Sequence, residues 1–595
     1  MNFNLKKDIT HNLNLTVSGL FVSIFLFVLF VIIWASNKGF DLTDEGYYLY
    51  SMQHYQDGSA FFEYQKILKV WFGWLDLKVI GFRVLRLVFT LFSSFVFAKG
   101  LFRLLLQKAA ISEVILRNRI VYFVFILIAS LLSYSIFPQT LSYNSLTLIN
   151  VQFSSGLVLY AMSFEEAKLH YRVKSALLLA GTIVGFQNFV KFSNGILLVA
   201  LLGSYLLFVS INKTGWKLRR NKLLWFICGV FLFLVYYSLS IGSLLDWNVR
   251  LQETFNHTET HSIASLFSRY FDTALTSIKS IFYNYYFIIP FLLIFHFLFR
   301  FIKTPGFVKN KGLIKDSVYS IVIGYIVFIA VKLSWHQSGE QFAYNAGNIY
   351  VLWLIIGLVM LVFSSKENKI NVRPDLTLLF IGIFLFVLPL LCSFGTSNSL
   401  LVHILQYQFS WFSLMLLIAY KFSNKWKRFV YLFVIGGISC SQIISGLVYH
   451  PYRVNGTLFD QIVVISDLQP VKVDLKLKDH LENVNKVLEE NGFVSDRSLL
   501  PIYCSPGLAY LLNASSPGSG WFSYSSSLSN CYNLQVGEKV DKKNLLFLLE
   551  AGKIIPDEFL SCLREHQIDF PGNYKKIGIV EGYTNKISVE IFAPQ

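Results

Sequence analysis

The chain has 595 residues, of which 54% are hydrophobic, 17% aromatic and only 15% charged, with a formal net charge of +17. That composition excludes an ordinary soluble enzyme: apolar stretches near ~20 residues, the length that crosses a bilayer, recur along the chain, as in a polytopic helical membrane protein. The positive excess follows from membrane topology and predicts no nucleic-acid partner.

Taken in chain order, "MNFNLKKDIT" followed by a full-length apolar run predicts a signal-anchor, because the run is too long for a cleaved signal peptide and lacks a small-residue cleavage site. Membrane helices are expected near 15–36, 79–100, 120–137, 145–163, 175–190, 194–211, 223–245, 285–302, 317–334, 349–365, 377–395, 400–420 and 428–449, thirteen in all. Lys and Arg gather in alternate connections, among them "GWKLRRNK", "KTPGFVKNKGLIK" and "KFSNKWKR". Basic loops stay on the cytoplasmic side, so the N-terminus is expected inside and, with an odd number of spans, the C-terminus outside.

The first external loop, 37–78, contains Asp41, Asp44, Glu45, Asp57, Glu63 and Asp76, and no other membrane-proximal loop is so acidic. Thr43 suits an N-cap, which places Asp44 and Glu45 in the first turn of a helix through "EGYYLYSMQHYQ", with tyrosines at headgroup level. Two meanings are open for these acids: complements to a helix dipole, or chemistry. Arg83 and Arg86 share a helix face at the outer start of the second span, where they could meet a phosphate or simply snorkel to the headgroups.

Further on, "NHTETH" sets His257 and His261 four apart around Glu259, and "WHQSGEQF" sets His336 and Glu340 four apart. Each supplies only two obvious ligands, so no metal residues are assigned and no cofactor is predicted, although a divalent metal stays open. The turn "FGTSNSL" before the 400–420 span offers small hydrogen-bonding residues. Residues 1–455 are expected to form the transmembrane domain and 456–595 a small external α/β domain: "LKDHLENVNKVLEENG" reads as a helix, "RSLLPIYC" as a strand, and "SPGLAYLLN" as a helix with Ser505 as cap and Pro506 at its first position. No glycine-rich phosphate loop opens any helix there. Cys228, Cys392 and Cys440 fall in spans, whereas Cys504, Cys531 and Cys562 fall in the external domain, where Cys504 could pair with Cys531.

An apolar first helix, then the pair "DE" opening an aromatic interfacial helix, then a second loop helix and "FRVLRL" leading into the next span, resembles the membrane-embedded GT-C glycosyltransferases. More narrowly, the chain is similar to the branch containing bacterial lipid A aminoarabinose transferases and protein O-mannosyltransferases. "GTIVGFQNFVKFSNG", ending outside at Lys191, is similar to a helix of that family. The resemblance implies a catalytic aspartate at the start of the first juxtamembrane helix, the position of Asp44 in "TDEGYYLYSMQHYQDG", with Glu45 and Asp41 secondary. It implies Arg86, Lys191, Arg83 and Lys66 as ligands for a donor phosphate. The chain departs from the family where "EKP" is common, having "FFEYQKILK", and where a second acid is common, having Asn144 in "FPQTLSYNSL".

The implied activity is transfer of a sugar from a polyprenyl-phosphate-linked donor to a lipid, glycan or protein acceptor, with inversion at the anomeric carbon. The implied location is the bacterial inner membrane among its lipids, multi-pass, with the terminal domain in the periplasm. A lipid or polysaccharide transporter, a non-catalytic scaffold, and a polymerase or ligase using a pyrophosphate-linked glycan are the other readings.

Overall fold

A backbone inside a bilayer has to satisfy its own N–H and C=O groups, so the apolar runs become helices. The computed structural model describes every residue except 1, 54–62, 108, 165–169, 210–214, 258–262, 287–323, 334, 336–338, 368–375, 395–399, 423, 466–469, 494–497, 504, 518–519, 525–526, 536–544 and 584–587. Among the described residues seven helices are long and apolar enough to cross a membrane: Leu15–Ala35, Val79–Leu106, Tyr143–Met162, Tyr171–Val190, Trp216–Ser240, Gln341–Leu361 and Lys425–Tyr449. Shorter apolar helices occupy Arg119–Ser135, Phe192–Phe208, Gly324–Leu333 and Leu376–Cys392. Each falls on an expected window; the window 285–302 lies almost wholly outside the described residues.

Two expectations need correction. The helix expected over 400–420 is broken by 71° between Leu400–Gln406 and Gln408–Tyr420. Its second half is tied to the Leu376–Cys392 helix. Pro389 has no N–H for the carbonyl of Leu385, and Ser410 Oγ donates to that carbonyl instead, while Trp411 Nε1 donates to Phe386 O at 3.1 Å. The stretch 246–284, expected as a loop, holds two helices, Leu244–His257 and Ile263–Tyr285, because apolar residues recur there every three or four positions.

The chain divides into two units. One comprises 1–29, 101–136 and 261–446. Its interior is aromatic and polar: the rings of Phe125 and Phe412 lie 4.9 Å apart, and the buried Tyr350 hydroxyl donates to Gln442 Oε1 at 2.6 Å. The other comprises 30–100, 137–260 and 447–595. Its spans approach closely where glycines meet. A Cβ on Gly181 would stand 1.9 Å from the carbonyl oxygen of Phe226, and one on Gly229 2.0 Å from that of Leu178, so only glycine lets the 171–190 and 216–240 helices touch backbone to backbone.

In the same unit, β1 (Val463–Val464) pairs antiparallel with β2 (Lys472–Val473). A four-stranded sheet runs in the order β3 (Ser498–Pro501), β4 (Leu545–Glu550), β6 (Val589–Pro594), β5 (Tyr574–Val580), with β3 and β4 parallel and the other pairs antiparallel. The Leu475–Glu490 helix is capped by Asp474, whose Oδ1 accepts from Lys476 N at 3.1 Å and Leu477 N at 3.2 Å. Pro506 does open the next helix, Pro506–Leu511, but Ser505 Oγ donates to Tyr503 O at 3.3 Å and caps nothing.

The hydrophobic core of this sheet does not close on itself. Phe40, Leu42, Leu49 and Tyr50 of the first loop pack with Leu477, Leu499, Leu508 and Leu546 in one cluster. The start of the acidic loop, Phe40 to Tyr50, therefore shares a core with the C-terminal sheet.

Candidate functional site

The Asp44–Gln53 helix starts where expected, with Tyr47 N–H donating to Thr43 O at 2.8 Å. The side chain that serves its first turn is Asp41. Its Oδ2 accepts from Glu45 N at 3.2 Å, and its Oδ1 accepts from Thr43 N at 2.8 Å and Thr43 Oγ1 at 2.6 Å. Asp41 is 1% exposed. Burial and the neighbouring Asp44 carboxylate push its pKa up to about 7, against the pull of the Thr43 hydrogen bonds.

This raised pKa has a consequence for stability. A carboxyl that binds its proton more tightly in the folded than in the unfolded chain adds stability below about pH 4, and loses it as the pH rises through about 7. The thermal midpoint of the purified protein is expected to fall over that window, and Asp41→Asn to flatten the fall; an unchanged pH slope in the variant would place the titration elsewhere.

Glu45 faces inward to Arg83. Arg83 Nε donates to Oε1 at 2.8 Å and Nη2 to Oε2 at 2.7 Å, both side chains being 2% exposed. The same guanidinium donates to the carbonyls of Ser36 and Lys38, both at 3.0 Å, and of Gly39 at 2.6 Å. These five bonds use all five guanidinium N–H groups. Arg83, expected as a phosphate ligand, in this arrangement fastens the end of the first span to the start of the acidic helix.

Asp44 is different from both. It is 24% exposed, its Oδ2 accepts from the Tyr452 hydroxyl at 2.5 Å, and its Oδ1 lies 3.4 Å from Arg453 Nη1. Arg453 is itself 49% exposed and donates from Nη1 to Thr43 Oγ1 at 2.8 Å. Both partners come from "YHPYRVNG", directly after the last span, where Arg453 adopts a left-handed φ of 51°. The sequence reading missed them. The available signal was a polar Tyr-Arg pair at the mouth of a span, on the side expected to be external.

Phenols surround Asp44. Tyr47, Tyr48, Tyr64 and Tyr452 are each raised above the usual tyrosine range by burial first, with Asp44 adding to it, so they stay protonated. Tyr48 stands edge-on to Tyr143 at 6.1 Å, and Tyr47 edge-on to Trp521 of the terminal domain at 5.3 Å.

The remaining expected residues make contacts of their own. Arg86 is fully buried and donates to the carbonyl of Pro138. Lys191 is half-buried at the break between the 171–190 and 192–208 helices, its N–H donating to Gln187 O at 2.9 Å. Lys66 lies beside the end of the 216–240 helix, its Nζ 3.5 Å from where a Cβ on Gly242 would stand. Near it is a third buried carboxylate, Glu63, which accepts from the Tyr237 hydroxyl and pairs with Arg250 at 3.0 Å. Asn144 is buried in the first turn of the Tyr143–Met162 helix, behind a Ser142–Ser145 capping box.

Among the described residues no three His, Cys, Asp or Glu side chains come together as a metal site. Glu259, His261 and His336, most of "FGTSNSL", and Cys504 lie outside the described residues, as do the side chains of His257 and Glu340. Cys531 has Cys562 within hydrogen-bonding reach.

The terminal domain holds the acidic helix by direct contact. Gly507 N–H donates to Leu42 O at 2.8 Å, Phe40 stacks on Tyr510 at 6.1 Å, and the Tyr50 hydroxyl donates to Ser516 O at 3.1 Å. Gly46 and Gly507 face each other so closely that a Cβ on Gly46 would stand 2.2 Å from Gly507 Cα. Gly46→Ala is expected to force the two helices apart and cost ~1–3 kcal/mol, read as a lower unfolding midpoint in detergent; an unaltered midpoint would show the contact to be loose.

No family model and no curated protein matches the chain. Among solved structures it aligns with ArnT from Cupriavidus metallidurans, a crystal structure bound to undecaprenyl phosphate, over 96% of this chain and 97% of that one. The identity is 12% and the TM-score 0.32, values that carry no argument about this chain. The reading of function rests on the residues.

Proposed function

We propose that this membrane protein is a glycosyltransferase that moves a sugar from a polyprenyl-phosphate carrier to an acceptor, with Asp44 as the base. One observation carries the reading: of three carboxylates in one turn of chain, Asp41 and Glu45 are buried and committed to the fold, while Asp44 stays accessible beside a half-exposed cation. A helix that needed acids only for its dipole would not need two of them locked to hold out a third.

In the proposed step the acceptor hydroxyl gives its proton to a carboxylate oxygen of Asp44. The acceptor oxygen bonds to the anomeric carbon from the face opposite the phosphate, and the bond to the phosphate oxygen breaks with its electron pair. Tyr452 donates to Oδ2, so the acceptor would be met by Oδ1, which lies 3.4 Å from Arg453 Nη1. Phosphate leaves as a weak base, so one carboxylate suffices, and oxocarbenium character at the sugar tolerates a modest base. The departing phosphate needs cations: Arg86, Lys191 and Lys66 stay as candidates, and Arg453 joins them in place of Arg83.

Mass spectrometry of lipids co-purified with the protein tests the donor. A polyprenyl phosphate bearing a single sugar is expected; recovery of a pyrophosphate-linked glycan in its place would move the chain to the polymerase or ligase class. Orientation is tested separately. A reporter fused after residue 460 is expected to lie outside the cytoplasm and one within 213–222 inside it, and finding both on one side would undo the proposed direction of insertion.

A further inference from the structure

The Ile263–Tyr285 helix has three chemically distinct faces. At ~100° per residue, Tyr270, Thr273, Ser277 and Ile281 fall on one side of it. That side is occupied by protein: the Tyr270 hydroxyl donates to Leu390 O at 2.9 Å, its ring lies 6.2 Å from Phe394, and Ser277 and Ile281 are buried. A second side carries Phe267, Phe271, Ile278 and Phe282, exposed by 66%, 70%, 50% and 54%. The third carries Ser268, Arg269, Asp272, Thr276, Lys279 and Tyr283, all exposed, with Ser268 Oγ donating to Asp272 at 3.3 Å and the Tyr283 phenol suited to headgroup level.

A helix crossing the bilayer would drag that polar stripe through hydrocarbon, at ~2.5–3.5 kcal/mol for each central charge. A helix in water would expose four large apolar side chains in a row. Both conflicts vanish if the axis lies in the membrane plane with the apolar face down and the polar face up. The anchor point agrees. Leu390 is near the end of the Leu376–Cys392 helix, which carries no charge and exposes Leu379, Phe380, Ile383 and Phe386 along its length, so Tyr270 is attached where a lipid-facing span runs out.

We infer that Ile263–Tyr285 is an interfacial helix whose Phe267, Phe271, Ile278 and Phe282 face sits in the acyl chains of the bilayer, and whose Arg269, Asp272 and Lys279 face lies among headgroups and water. The inference is independent of the enzyme reading.

The test places p-benzoylphenylalanine in turn at Phe271, Ile278, Asp272 or Thr276 of the full-length protein, reconstituted in phosphatidylethanolamine and phosphatidylglycerol vesicles that carry an alkyne-tagged acyl chain. On irradiation, tagged lipid is expected on the protein at 271 and 278 and absent at 272 and 276. A variant that does not fold is replaced by a neighbour on the same face, Phe267 or Phe282 for the apolar side and Ser268 or Lys279 for the polar side. Lipid capture at all four positions would mean a submerged helix, capture of polypeptide at 271 and 278 would mean a protein interface, and no capture at any position would mean neither contact exists; each of these overturns the inference.

Discussion

Asp44→Asn is expected to lower sugar transfer by ~10²–10⁴-fold in a purified assay, the range for loss of a positioned general base, with folding and donor lipid retained. Asparagine has the same size and keeps one oxygen for the Tyr452 hydroxyl, so the 2.5 Å contact survives in kind. What disappears is the proton affinity at Oδ1 and the attraction to Arg453. The latter is a partly exposed pair worth ~0–1 kcal/mol, too little to unfold the loop. The effect should fall on kcat more than on donor KM, because the group acts on the acceptor's proton in the transition state. Transfer at the parental rate by Asp44→Asn would remove the base assignment. A parental rate in that variant together with a dead Asp41→Asn would shift the chemistry to the buried carboxyl.

Arg83→Ala is expected to destabilise the protein by ~3–5 kcal/mol, the usual cost of stranding one partner of a buried ion pair. The Glu45 carboxylate would stay in the interior without its fork of donors, and the carbonyls of Ser36, Lys38 and Gly39 would lose theirs. Unfolding in detergent reads this directly. Glu45→Gln combined with Arg83→Met removes both charges, and should recover part of the loss because no unpaired ion is left. This pattern separates the two acids of "DE": one variant loses rate on an intact fold, the other loses the fold. If Arg83→Ala left the midpoint unchanged but weakened donor retention, Arg83 would return to the phosphate ligands.

Spans were legible because lipid imposes a single, long-period demand on the sequence: an apolar run of sufficient length becomes a helix whatever its neighbours do, as at Leu15–Ala35 and Trp216–Ser240. Breaks inside such runs were not legible: the bend at Tyr407 lies beside Ser410, whose hydroxyl takes a carbonyl left free by Pro389 on another helix, a partner the run itself does not reveal. The amphipathic order of 263–285 is a period in the sequence, but its polar stripe keeps it from standing out as a span, so the helix is not distinguished from a loop between two spans.

At the candidate site, local chemistry reached as far as chain neighbours reach. A short-range pattern of Asp, Thr, Asp and Glu is enough to place a helix start and gather three acids there, because capping and first-turn charge act over four residues. Nothing in that stretch distinguishes the accessible carboxylate from the two locked ones. That distinction is made by Arg83, 38 residues from Glu45, and by Tyr452, 408 residues from Asp44. A carboxylate becomes structural or available according to whether distant donors desolvate and bind it, and those donors are chosen only when the chain has closed on itself.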